Sequence, residues 1–176
     1  MIEKILREKL VYKGKIVNIK EVEVELPNGK IGKREIVEHP GAVAILPIDQ
    51  EGGIFFVKQY RMCTGEILLE IPAGKLNYGE DPYQCAIREL EEEIGYKAKD
   101  LKLIHAFFTS PGISNEILYL FEAKDLEKTQ INPDEDEFLE IIIIKRENLK
   151  KLIKENKIKD AKTLIALYYY LTKEDF

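Results

Sequence analysis

Residues 74–96 read GKLNYGEDPYQCAIRELEEEIGY, and the fold turns on how this stretch is parsed. Asp81 is a good helix N-cap, and Pro82 suits the first helical position, where a missing N–H costs nothing. Ala86, Ile87, Leu90 and Ile94 then recur at helical spacing and give the helix one apolar side. Gly95 ends it as a left-handed C′ residue. On this helix Glu89, Glu92 and Glu93 fall three and four positions apart, on one turn, with Arg88 directly before them. Carboxylates placed this way repel one another unless cationic charge sits among them. Arg88 alone is too little, so a divalent metal is the economical partner. Upstream, Glu66–Ile71 reads as a strand running through Pro72 and Ala73 into a tight turn at Gly74. With no Cβ there, backbone can approach a ligand closely.

Working outward, the 176 residues suit one domain with a substantial core, and 45% hydrophobic content suits a globular chain. A net charge of −5 argues against nonspecific nucleic-acid binding, which calls for a basic face. No run approaches the ~20 apolar residues of a membrane span, and the charged N-terminus lacks a signal-peptide core. Cys63 and Cys85 lack metal-ligand spacing and read as thiols of a reducing cytoplasm, Cys85 on the buried side of the acidic helix.

Residues 5–38 are strand-like. Val22, Val24 and Leu26 alternate with Glu21, Glu23 and Glu25, and Asn28-Gly29 is a hairpin signal. From His39 the pattern changes. Residues 41–47, 53–60 and 66–71 read as short apolar strands, and 101–108, 117–123 and 138–145 as further strands. Residues 146–156 and 160–173 read as helices, with Leu149, Leu152 and Ile153, then Leu164, Ile165, Tyr168 and Leu171, at helical spacing. This order predicts an α+β or α/β/α sandwich with a mixed sheet, preceded by an N-terminal antiparallel β section over residues 1–38; the main domain is expected over 39–176.

The spacing G-x5-E-x7-R-E-U-x-E-E-x-G-U, with U apolar, is filled by Gly74, Glu80, Arg88, Glu89, Leu90, Glu92, Glu93, Gly95 and Tyr96. From residue frequencies, the fixed positions coincide by chance roughly once in a million or less. The stretch resembles the signature of the Nudix hydrolases, departing only in Tyr96, where an aliphatic residue is usual. The resemblance implies the Nudix sandwich fold and hydrolysis of a nucleoside diphosphate linked to another group. It implies metal ligation by Glu89 and Glu93, with Glu92 direct or through water and the Ala73 carbonyl as a further ligand. Arg88 is expected to orient the glutamates and Glu80 to support that network. Oxygen ligands at close spacing favour Mg²⁺ or Mn²⁺ over zinc. The catalytic base is expected in the acidic segment 132–140; Glu137 matches best by its distance from the following strand, with Glu135 its rival.

Thr109-Ser-Pro-Gly-Ile-Ser-Asn-Glu116, with Pro111 in it, resembles the segment that marks the ADP-ribose pyrophosphatase subgroup, as do HPGAVAILP and Gln59-Tyr60-Arg61. Arg61 and Arg34 are candidate substrate contacts through their planar donor forks, and Glu116 is a candidate for ribose or the metal shell. Tyr12, Tyr60 and Phe108 could stack on a base, although core packing would claim most of them. His39 and His105 read as structural. The expectation is ADP-ribose cleaved to AMP and ribose 5-phosphate. The alternatives are another nucleoside diphosphate sugar such as GDP-mannose, or a catalytically silent nucleotide sensor. The subgroup's extra N-terminal strands imply a homodimer.

Overall fold

The structure is a computed structural model that describes residues 1–131 and 138–173. The chain forms two compact units, Met1–Ala42 with Phe107–Leu118, and Val43–Ala106 with Tyr119–Phe176.

In the first unit β1 (Lys4–Lys13), β2 (Asn18–Glu25) and β3 (Ile31–Glu38) make an antiparallel sheet in the order β1-β2-β3. The alternation in β2 does what the sequence requires: Val22 and Val24 are buried, while Glu21 faces out. Gly29 supplies the positive φ of 78° in the β2–β3 turn, and the Asn28 side chain accepts from Lys30 N at 3.1 Å. Every residue of β1 is exposed. Residues 107–118 belong to this unit because β3 holds them. Val37 N donates to Ile113 O at 2.8 Å, and His39 N donates to the Asn115 side chain at 2.8 Å.

The second unit carries β4 (Ala42–Pro47) from Val43 on, β5 (Ile54–Arg61), β6 (Glu66–Glu70), β7 (Ala73–Lys75) and α1 (Pro82–Ile94). It continues with most of β8 (Tyr96–Phe108) and β9 (Ile117–Lys128), then β10 (Leu139–Ile144), α2 (Arg146–Lys154) and α3 (Ala161–Thr172). One sheet has the order β10-β5-β6, with both pairs antiparallel, and the other the order β7-β4-β9-β8. Val43 and Ile45 of β4 and Phe55 and Val57 of β5 pack with Ala86, Leu90 and Ile94 of α1. The intervening residues Ala44, Leu46, Ile54 and Phe56 are buried too, so both strands are covered on both faces. Leu149 of α2 and Ala166, Leu167 and Tyr170 of α3 are buried as well. Tyr170 Oη donates to Gly52 O at 2.9 Å, tying α3 to the β4–β5 turn. The class is α+β. Among the described residues no helix is long and apolar enough to cross a membrane.

α1 follows its sequence signals. Asp81 accepts from Tyr83 N and Gln84 N at 2.9 and 3.2 Å, Pro82 opens the helix, and Gly95 closes it at φ 70°. Three elements differ from the sequence reading; one is β9, expected over 117–123, which runs on to Lys128 through the charged residues Lys124, Asp125 and Glu127. The expected turn at Ala73-Gly74 is a short strand, β7, whose three residues are too few to show a periodicity. β8 begins at Tyr96 rather than Leu101, because Lys97, Lys99 and Asp100 mask the start of an exposed strand.

Leu90, fully buried between α1 and β4–β5, should be the costliest apolar truncation on this helix. Leu90→Ala is expected to lower unfolding free energy by about 2–5 kcal/mol in urea titrations, and half-buried Ile87→Ala by clearly less.

Candidate active site on the acidic helix

Arg88 is the centre of a charge knot. Its Nε and Nη2 donate to the two oxygens of Glu80 at 3.0 and 3.1 Å, and Nη1 donates to Glu89 at 2.7 Å and Glu92 at 2.8 Å. Nη2 also donates to the Lys75 carbonyl at 3.2 Å. Five planar donors let one guanidinium hold three carboxylates, one of them by both oxygens, and a backbone carbonyl besides, more bonds than the three hydrogens of an ammonium could make. The Arg88 hydrogen bonds and the amide of Asn77, which donates to Glu80 at 2.7 Å, hold the Glu80 carboxyl down at about 2. The same carboxylates, Glu80 first, raise the Arg88 pKa further above its ordinary value. Cys85, fully buried with its Sγ 3.5 Å from the Lys75 carbonyl, has its thiol pushed up by burial to about 12, so it is a packed side chain and no nucleophile.

Glu93 lies one turn beyond Glu89 on the same face of the helix. It is 1% exposed and accepts from Ala73 N at 3.1 Å. Glu89, also buried, rests directly on Gly74: a Cβ there would fall 1.8–2.2 Å from its carboxyl group. That is the physical reason for glycine at this position, since φ is not what demands it. β7 and α1 therefore bring the Ala73–Gly74 backbone and two buried carboxylates together.

Among the described residues no three or more His, Cys, Asp or Glu side chains already stand as a metal cluster, because Glu89 and Glu92 are turned to Arg88. The donors nevertheless fit a hard divalent cation. They are oxygen alone, two of them on buried carboxylates, and the three carboxylates of Glu80, Glu89 and Glu92 share the single guanidinium of Arg88, with Glu93 beside them on the Ala73 amide. Beside Glu93 opens a concavity of about 530 Å³ walled by Tyr60, Ile67 and Phe138, within the size range of small-ligand sites.

The remaining sequence candidates fall into separate groups. Arg34 turns its fork onto Glu3 and donates from Nη1 to Lys33 O at 2.8 Å. It shares a cleft of about 380 Å³ with Pro111, Ile113 and Asn115. Glu116 accepts from the Thr109 hydroxyl and lies 3.5 Å from His39 Nδ1. The same nitrogen accepts from Gly41 N at 3.1 Å. Arg61 gives Nε and Nη2 to Glu70 at 2.7 and 2.8 Å. Glu137 and Glu135 lie outside the described residues. Tyr12, Tyr60 and Phe108, expected mostly in the core, are each more than half exposed.

Sequence reasoning missed Glu70, which is 1% exposed at the end of β6. Burial pushes its carboxyl up, and Arg61 and Lys162 more than reverse this, holding it below the usual carboxylate value. A glutamate directly between the apolar run Ile67-Leu68-Leu69 and Ile71-Pro72-Ala73 was the available signal.

The NUDIX domain model matches residues 37–167, and the model described as "Nucleoside diphosphate sugar hydrolase N-terminal domain" matches 3–37. The chain is 47% identical over 176 residues to the ADP-ribose pyrophosphatase of Bacillus subtilis (strain 168), covering 98% of this chain and 94% of that protein. It is 44% identical over 174 residues to the methanol dehydrogenase activator of Bacillus methanolicus, with the same coverage. The crystal structure of an ADP compounds hydrolase superposes with a TM-score of 0.87 at 24% identity, covering 99% of this chain and 96% of that one. This chain belongs to the Nudix family. Its architecture is the Nudix fold, with a mixed sheet and N-terminal antiparallel strands, and its class is that of the Nudix pyrophosphohydrolases, which require divalent metal ions.

Because the folded pKa of Glu80 is depressed, its ion pair with Arg88 contributes stability fully above the ordinary value of 4.5, and this is lost as pH falls toward about 2. Glu80→Gln should therefore unfold at lower urea than the parent at pH 7, with the gap between them closing across that acid window.

Proposed function

We propose that this chain hydrolyses the diphosphate of ADP-ribose to AMP and ribose 5-phosphate. The observation that carries the reading is the Arg88 knot with its excess of carboxylates, in a chain 47% identical over nearly its whole length to an ADP-ribose pyrophosphatase. The N-terminal match to a nucleoside diphosphate sugar hydrolase domain supports the substrate class. Glu89, Glu93 and the Ala73 carbonyl hold the cation, Mg²⁺ with Mn²⁺ as a substitute, and Glu92 completes its shell. When bound, the cation neutralises charge developing on the phosphate oxygens. Arg88 orients the glutamates. Arg34, Arg61, Pro111 and Glu116 contact the substrate; Arg61 does so from Nη1, the nitrogen not committed to Glu70. Glu137, or its rival Glu135, takes the proton as the water oxygen bonds to phosphorus and the bridging phosphorus–oxygen bond breaks.

Residues 39–176 are the hydrolase domain. Residues 1–38 pair with a second copy: β1 is a sheet edge carrying exposed Ile5, Leu6, Leu10 and Val11, an arrangement that a lone soluble chain would be expected to blunt. The setting is the cytoplasm. Sedimentation should give the mass of two chains, and Val11→Lys should shift it toward one.

Turnover of ADP-ribose with Mg²⁺ should yield AMP and ribose 5-phosphate in equal amounts, and Glu93→Gln should lower kcat on the order of 100-fold. A higher kcat/KM on GDP-mannose would replace the substrate. No parent turnover on either, with retained nucleotide binding, would replace the enzyme with a sensor. A second reading is favoured by the methanol dehydrogenase activator relative: the chain acts on a dehydrogenase. In that case adding it to such an enzyme would raise the dehydrogenase rate while free ADP-ribose is cleaved poorly.

A further inference from the structure

The segment that presents Ala73 and Gly74 to the glutamates is anchored from a distant part of the chain. Glu70 ends β6 with a buried carboxylate that accepts a bidentate pair from Arg61 and a further hydrogen bond from Lys162 Nζ. A carboxylate at that depth persists only with such partners. Lys162 also lies 3.1 Å from Asp160. The next residue, Ile71, donates its N–H to Thr163 Oγ1 at 2.9 Å, and Thr163 is fully buried. The Thr163 hydroxyl proton goes to Asp160 Oδ2, and Asp160 also caps α3 by accepting from Thr163 N at 3.0 Å. With its proton committed, the Thr163 oxygen is oriented to accept from Ile71. Pro72 has no N–H, and its carbonyl accepts from Ile45 N at 2.8 Å. Ala73 N then reaches Glu93, and Gly74 backs Glu89.

We infer that the first turn of α3 is a positioning element of the cation site: Lys162 and Thr163 fix Glu70 and Ile71, and this sets the Ala73–Gly74 backbone against Glu93 and Glu89. The inference rests on the proposal that these glutamates hold the cation. It assigns to residues about ninety positions downstream a part in metal affinity that no sequence motif marks. Glu70 has a second effect. It keeps the Arg61 guanidinium, which lies within electrostatic reach of Glu93, occupied on its own carboxylate.

The test is Mn²⁺ binding to the full chain without substrate, followed by electron paramagnetic resonance, with the thermal midpoint of the metal-free protein measured alongside. Thr163→Val keeps shape and removes the acceptor for Ile71; Thr163→Ser restores it. Thr163→Val is expected to weaken Mn²⁺ binding by about tenfold, and Thr163→Ser to bind as the parent does. Lys162→Met, read in the same way, should also weaken binding, and it carries the test if the valine variant does not fold. A variant that melts earlier yet binds Mn²⁺ with parental affinity would overturn the inference and leave the cation site standing. A parent that binds no Mn²⁺ would overturn both.

Discussion

Acids three and four residues apart on one helix turn repel one another, and the local structure is arranged around that repulsion. Two like charges about 4 Å apart cost about 4 kcal/mol at an effective dielectric of about 20, so a cluster of four glutamates could not sit half-buried without compensation. Arg88 supplies the first part of it, spending its guanidinium on Glu80, Glu89 and Glu92 at 2.7–3.1 Å. Backbone supplies the second: the Ala73 amide faces Glu93 and the Asn77 amide faces Glu80. An oxygen-only donor set of this kind fits a hard divalent cation.

The packing of α1 aims the carboxylates themselves. Its apolar stripe of Ala86, Leu90 and Ile94 is sealed against β4 and β5, which fixes the rotation of the adjoining acidic face. Its cap at Asp81 sets where the helix begins, and Gly95 sets where it stops. On the facing side Gly74 allows the β7 backbone to approach to a distance that any side chain would block. The glutamates are thus held between a rigid helix and a short strand, the kind of support that keeps ligand geometry from drifting.

α1 and its acids were legible from sequence because caps, stripe and carboxylates are all local, within a span of about twenty residues. The alternation of β2 and the Asn28-Gly29 turn were legible for the same reason. What escaped depends on contacts far apart in the chain. Glu70 with Lys162, and Ile71 with Thr163, are each separated by 92 positions, and nothing near either residue announces its partner. Arg61 was read as a phosphate contact, but two of its nitrogens belong to Glu70, a competition visible only in three dimensions. Arg34 and Pro111, chosen from separate segments, do line one cleft, because Val37 bonds the 110–115 loop to β3. Tyr12, Tyr60 and Phe108 are exposed where an average aromatic would be packed.

The central claim is that the acidic face of α1 binds a divalent cation through Glu89 and Glu93. A calorimetric titration of Mn²⁺ into the parent and into Glu89→Gln, with Mg²⁺ as competitor, addresses it without reference to any substrate. The account predicts saturable binding that Mg²⁺ displaces and that Glu89→Gln loses. Unchanged binding in Glu89→Gln would place the cation elsewhere and contradict it.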